Sequence, residues 1–169
     1  MKKMFFSALG LVAFAINSNA QATATATATA TIVTPISITK TADMNFGNVA
    51  VQAGTGGTVV LTPAGTRSTG GAGGVTLPAT AGTVTAAAFT VNGNGNYTYA
   101  ITLPGTVTLT RASGTETMDA DNFTSTPSGT GTLSSGTQNL TVGATLNVAA
   151  AQTPGVYTSG NFNVTVNYN

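Results

Sequence analysis

Four carboxylates carry most of what this chain could offer to acid–base or metal chemistry: Asp43, Glu116, Asp119 and Asp121. Glu116, Asp119 and Asp121, with Asn122 beside them, form one acidic cluster whose oxygens are of the type that holds calcium. The spacing lacks the glycine of an EF-hand loop, so solvated surface acids are the preferred reading. The chain has no His and no Cys, hence no imidazole base and no thiol nucleophile, and no second acid pair stands elsewhere. Lys40 has the chemistry of a general base or an amide cross-link donor, but a lone lysine at a strand end is the simpler reading. Gly54-Thr55-Gly56-Gly57 and Gly70-Gly71-Ala72-Gly73-Gly74 are turn glycines. No Lys-Ser/Thr follows them, as a phosphate-binding loop requires. Tyr97, Tyr99, Tyr157 and Tyr168 could stack against a sugar, but their alternation with Thr marks ordinary sheet positions. The expectation is a protein that is not an enzyme and uses no cofactor.

The elements that would position these groups are strands. From Ala22 to Ile38 nearly every even position is apolar: Ala22, Ala24, Ala26, Ala28, Ala30, Ile32, Ile36 and Ile38. The odd positions from Thr23 to Thr31 are all Thr. Strict period two predicts an extended strand with one apolar and one hydroxylated face, and β-branched Thr at this density disfavours a helix. Such a strand at the start of a mature chain can pair within its own domain or with the open edge of a neighbour.

Residues 1–20 read as a secretion signal: Lys2 and Lys3, an apolar run from Met4 to Ile16, then Ser18-Asn19-Ala20. Cleavage after Ala20 leaves 149 residues with three cations against four anions, a net charge of −1. That charge predicts no nucleic-acid partner, and no later run is long enough for a transmembrane helix. The chain is expected to be exported, and secreted or held at the cell surface. With no cysteine, its stability must come from the core and from backbone pairing. Only 5% of residues are charged, which leaves strand edges weakly guarded.

Along the rest of the chain, Met44 and Phe46 share one face before Gly47, and a strand is expected over residues 58–62. A long glycine-rich mobile loop is expected from Pro63 to Gly74. Phe89 and Val91, then Tyr97, Tyr99, Ile101 and Leu103, flank Asn92-Gly93-Asn94-Gly95-Asn96 and predict a central hairpin. Further strands are expected at residues 107–110, 140–148 and 157–168, with a polar loop from Ser128 to Thr137. The chain should therefore be all-β, a sandwich of immunoglobulin-like or related topology with about eight or nine short strands. Residues 21–33 form an N-terminal extension and residues 34–169 the sandwich domain.

Two stretches, Asp43-Met44-Asn45-Phe46-Gly47 and Gly155-Val156-Tyr157 leading to Phe162-Asn163-Val164-Thr165-Val166-Asn167-Tyr168, carry a family likeness. In them the chain resembles the spore coat protein U family and a related secreted domain of unknown function. The resemblance implies a sandwich of the archaic chaperone-usher pilin type, lacking one strand, with the N-terminal segment of each subunit inserted into the next. Ala22, Ala24, Ala26, Ala28, Ala30 and Ile32 would then form the donor strand. Phe162, Val164, Val166 and Tyr168 would line the acceptor groove. The implied partners are other copies of the chain, a periplasmic chaperone and an outer-membrane usher. The leading expectation is a structural subunit of a surface fibre or coat. The alternative is a monomeric secreted adhesin or carbohydrate-binding module, which uses the loops at residues 63–74 and 128–137. A third possibility leaves the Ala/Thr repeat as a disordered stalk.

Overall fold

A computed structural model describes residues 21–169. The expected signal segment lies outside the described residues. The chain divides into a unit ending at Ile32 and a body from Val33 to Asn169.

In the first unit, residues 21–32 carry no strand and every side chain is exposed, Ile32 at 91%. Of the strand expected from Ala22 to Ile38, only the part from Ser37 pairs within the chain, so the option of a ladder paired in its own sheet is corrected. Alternation dictates which face of a strand is apolar, but a strand exists only where a second backbone takes its N–H and C=O groups.

The body is an all-β immunoglobulin-like sandwich. Its strands, in chain order, are β1 (Ser37–Ala42), β2 (Asn45–Phe46), β3 (Ala50–Val51), β4 (Gly57–Leu61), β5 (Arg67–Gly70), β6 (Val75–Thr76), β7 (Val84–Thr85) and β8 (Ala87–Asn92). They continue with β9 (Thr98–Thr102), β10 (Val107–Arg111), β11 (Thr117–Thr126), β12 (Thr130–Thr132), β13 (Thr137–Val148), β14 (Tyr157–Ser159) and β15 (Thr165–Tyr168). Nine of these run four residues or longer, in line with the expected number; the others are short clips. The large sheet has the order β1-β8-β13-β11-β10-β14, with β4 also on β13 and β5 on β4. The small sheet has the order β12-β9-β15.

The spine is β13. Its alternating Leu140, Val142, Ala144, Leu146 and Val148 are all buried, as their period predicts. Leu140 and Val142 join Ala87, Val91, Tyr99, Leu133 and Val166 in one core between the two sheets. Ala144, Leu146 and Val148 join Phe46, Val59, Leu61, Val75 and Ala120 in a second. Twelve residues of strand thus bridge two clusters.

Four expectations are corrected. First, residues 63–74 are not an open mobile loop, because β5 folds back on β4. Arg67 Nη1 clamps this hairpin by donating to the carbonyls of Phe46 at 2.6 Å and Asn48 at 2.7 Å. Second, the Asn-Gly segment joins no hairpin. β8 lies in the large sheet and β9 in the small one, so residues 93–97 cross between them. The crossing is held by the turn before β13: Gly93 N–H donates to the Gly136 carbonyl and Asn96 N–H to that of Leu133. Third, residues 128–137 contain β12 and the fully buried Leu133. Fourth, the single expected last strand is two: β14 pairs with β10 and β15 with β9. Residues 160–164 carry the chain from one sheet to the other.

Candidate functional site

Two strand ends of the sandwich are left without partners on the same side of one core. β1 ends the large sheet and pairs only with β8; β15 ends the small sheet and pairs only with β9. The two approach one another, but no ladder joins them. The Tyr168 hydroxyl closes one end of the gap. It accepts from Asn94 N–H at 2.6 Å and donates to the Thr34 carbonyl at 2.7 Å.

Which backbone groups face the gap follows from the register. Ile101 N–H is taken by Gly129 and the Tyr97 carbonyl by Leu133, so the odd residues of β9 bond towards β12. The even ones bond β15, and Asn169 N–H accordingly donates to the Thr98 carbonyl. Period two then commits Thr165, Asn167 and Asn169 to β9, and the N–H and C=O of Val164, Val166 and Tyr168 point to the open side. On β8, Gly93 bonds towards β13, which gives Asn92 and Thr90 to Ser37 and Thr39 of β1. The backbone of Ile38 is then open as well.

The side chains alternate with the same period. Val166 is buried, and Phe162, Val164 and Tyr168 are half-buried against the same core, as are Ile36, Ile38, Ile101 and Leu103. Phe162 packs on Phe123 with ring centroids 5.5 Å apart, and Tyr168 meets Tyr97 edge-on at 5.6 Å. The four residues expected to line a groove therefore share one face, although only Val166 and Tyr168 lie in a strand. Ile101, Leu103 and Ile36 share this core as well, and in the sequence only their apolar alternation marks them.

The β15 side of the gap differs from the other edges, β1 across the gap included. β5 carries Arg67, β12 and β14 are three residues long, and β1 carries Lys40 and a bulge between Lys40 and Ala42. β15 has no charge, no proline and no bulge, the devices that normally block pairing.

The other candidate chemistries are not assembled. Glu116 is engaged by Arg111, with Nε to Oε2 at 2.8 Å; Asp119 accepts from Thr108 Oγ1, and Asp121 from Asn122. The hydrogen bond from Arg111 holds the Glu116 carboxyl down at about 2. Among the described residues, no group of acids could hold a metal ion. The tyrosines form no platform: Tyr99 is buried with its hydroxyl on Gln138, burial raises its pKa, and Tyr157 is tied to Gln152 and Thr153. Lys40 pairs with Asp43 on the surface at 2.6 Å. Among the described residues, no helix is long and apolar enough to cross a membrane.

An immunoglobulin-like sandwich with a bare strand edge beside a half-open core is thus the class that fold and site define. The chain belongs to the family described as Domain of unknown function (DUF4402), which matches residues 36–168. That match begins at Ile36, after the Ala/Thr ladder. No curated protein and no solved structure matches the chain.

Proposed function

We propose that the chain is a non-catalytic structural subunit of an exported surface fibre or coat, assembled by β-strand exchange. The Ala22–Ile32 ladder of one copy lies along β15 of the next, in the gap between β15 and β1. The observation that carries this reading is the edge of β15. It presents unpaired backbone groups at alternate residues above half-exposed apolar side chains, in a chain with hardly any charge to guard it. The resemblance of the Asp43–Gly47 corner and the last-strand motif to the spore coat protein U family agrees with it. A periplasmic chaperone and an outer-membrane usher are the partners that such an assembly would use.

The test is electrophoresis of the exported protein without boiling. Heat-resistant oligomers are expected, and deletion of residues 22–30 should abolish them. A concentration-independent monomer, or a deletion variant that still polymerises, overturns the reading; the monomer would favour the secreted binding module.

A further inference from the structure

The dipeptide Asn-Gly occurs twice among the described residues, at Asn92-Gly93 and Asn94-Gly95, and every other Asn with a successor there precedes an aromatic or branched residue. In Asn-Gly no Cβ shields the glycine nitrogen, so that nitrogen can reach the side-chain carbonyl of the asparagine before it. Both pairs thus have the chemistry of spontaneous deamidation through a five-membered succinimide ring. Whether the ring closes depends on the glycine N–H, which attacks only when no acceptor holds it.

The fold treats the two pairs differently. Asn92 ends β8, with Ser37 of β1 on one side and Thr137 of β13 on the other. Gly93 N–H donates to the Gly136 carbonyl at 2.9 Å, and the Tyr168 hydroxyl and Leu133 crowd its Cα. Asn94 lies two residues further on, in the crossing between the sheets. Its carbonyl accepts from Tyr97 N–H at 3.4 Å, long for such a bond, and closes a turn whose third residue, Asn96, has a φ of 65°. Gly95 is the second residue of that turn, and among the described residues no acceptor takes its N–H. The turn constrains the dihedrals of Gly95 and Asn96 but not those of Asn94.

We propose that Asn94, and not Asn92, is a site of spontaneous deamidation in the folded protein. The Gly95 nitrogen attacks Cγ of Asn94, a new N–Cγ bond forms, the Cγ–Nδ2 bond breaks, and ammonia leaves with the proton from Gly95. Water then adds across one of the two ring C–N bonds. Opening at Cγ leaves aspartate at position 94; opening at the main-chain carbonyl leaves isoaspartate, with the backbone rerouted through Cβ. Either product is a carboxylate where the native chain has an amide. The site is at the closed end of the gap, since the N–H of Asn94 is the one that the Tyr168 hydroxyl accepts from. The new charge is of the kind that guards a strand edge, and β15 has none of its own. The inference lies outside the strand-exchange reading and does not depend on it.

The test is incubation of the folded, full exported chain in mildly alkaline buffer, with peptides across residues 92–97 followed by mass spectrometry and electron-transfer fragmentation. Position 94 should convert roughly thirtyfold faster than position 92. That ratio is about 2 kcal/mol at ~1.4 kcal/mol per tenfold, and it matches the Gly93 bond and one ladder bond of β8, ~1 kcal/mol each, that must open first at Asn92. In urea the two positions should convert within about threefold of each other, because the dipeptides are the same and only the fold distinguishes them. Gly95→Ala should suppress conversion at position 94 and leave position 92 unchanged. It is compatible with the turn, since Gly95 has no positive φ and a Cβ there meets its nearest backbone atom at 3.4 Å. Equal conversion at both positions in the folded protein overturns the inference, as does faster conversion at position 92. So does a folded protein inert at position 94 while the unfolded chain reacts there, or a difference that persists unchanged in urea.

Discussion

Proline placed at adjacent positions of β15 separates the edge from the fold. Val166 N–H faces the gap, whereas Asn167 N–H faces Ala100 of β9. Val166→Pro therefore removes a donor that the body does not use, and an outward-facing N–H is where an edge strand tolerates proline. Its three-carbon ring fills nearly the space of the buried Val side chain. Asn167→Pro removes a ladder bond worth ~1 kcal/mol and leaves the Ala100 carbonyl unpaired at ~1–3 kcal/mol, a loss of roughly 2–4 kcal/mol. At about 3 °C per kcal/mol this lowers Tm by roughly 6–12 °C, against less than about 4 °C for Val166→Pro. Tm is read by thermal unfolding of protein lacking residues 22–30, so that no exchange contributes. In the full chain the order reverses. A missing bond and its stranded acceptor on the donor cost roughly 2–4 kcal/mol there as well, which weakens association by roughly 30- to 700-fold at ~1.4 kcal/mol per tenfold. Val166→Pro should then give stable monomers and no heat-resistant ladder. If it polymerises like the parent, the edge of β15 is not the acceptor.

Three further outcomes test the fold and its charges. Leu133→Ala should cost roughly 2–5 kcal/mol in urea unfolding, because the side chain is wholly buried; a polar-loop residue would shift stability by less than ~0.5 kcal/mol. Gly143→Ala should destabilise by roughly 1–3 kcal/mol in the same assay, since a Cβ there would run into the Leu61 carbonyl and the backbone at Thr62 and Pro63. The Glu116 carboxyl should titrate at about 2 by carbon-detected NMR, below the usual 4.5. Because its pKa is lowered on folding, its contribution is present above pH 4.5 and is lost as pH falls through about 2. Arg111→Gln should return the midpoint to the ordinary range.

Period two made β13 and β10 readable residue by residue, because each buries one face against a core and nothing interrupts the alternation. Where the sequence misled, the cause was a partner the local pattern cannot name. The Asn-Gly segment has hairpin chemistry, yet its backbone groups go to the 133–136 turn, and β8 and β9 part into different sheets. Arg67 lies in a stretch that reads locally as a loop, but carbonyls 19 and 21 residues away make it a clamp. Leu133 sits among Gly, Ser and Thr with no alternation around it, so no periodic signal marks its burial. The last-strand face was legible because Phe162, Val164, Val166 and Tyr168 keep parity across the break between sheets. That the far side of β15 has no strand is a property of topology, invisible to any window of sequence.

The two ends of the chain are complementary in what they lack. Residues 22–32 have the alternation of a strand and no partner for their backbone, and β15 has alternate backbone groups and half-open apolar side chains with no strand beside them. An exposed edge of this kind is an aggregation hazard that sequences usually suppress with charge, proline or a bulge, and β15 carries none of these. Keeping it bare has a cost in solubility, which, on the strand-exchange reading, a specific covering strand would offset. The Ala/Thr composition of the ladder fits this demand. On that reading Ala would enter a narrow gap without displacing a packed core, and Thr would keep the outer face wet and β-prone.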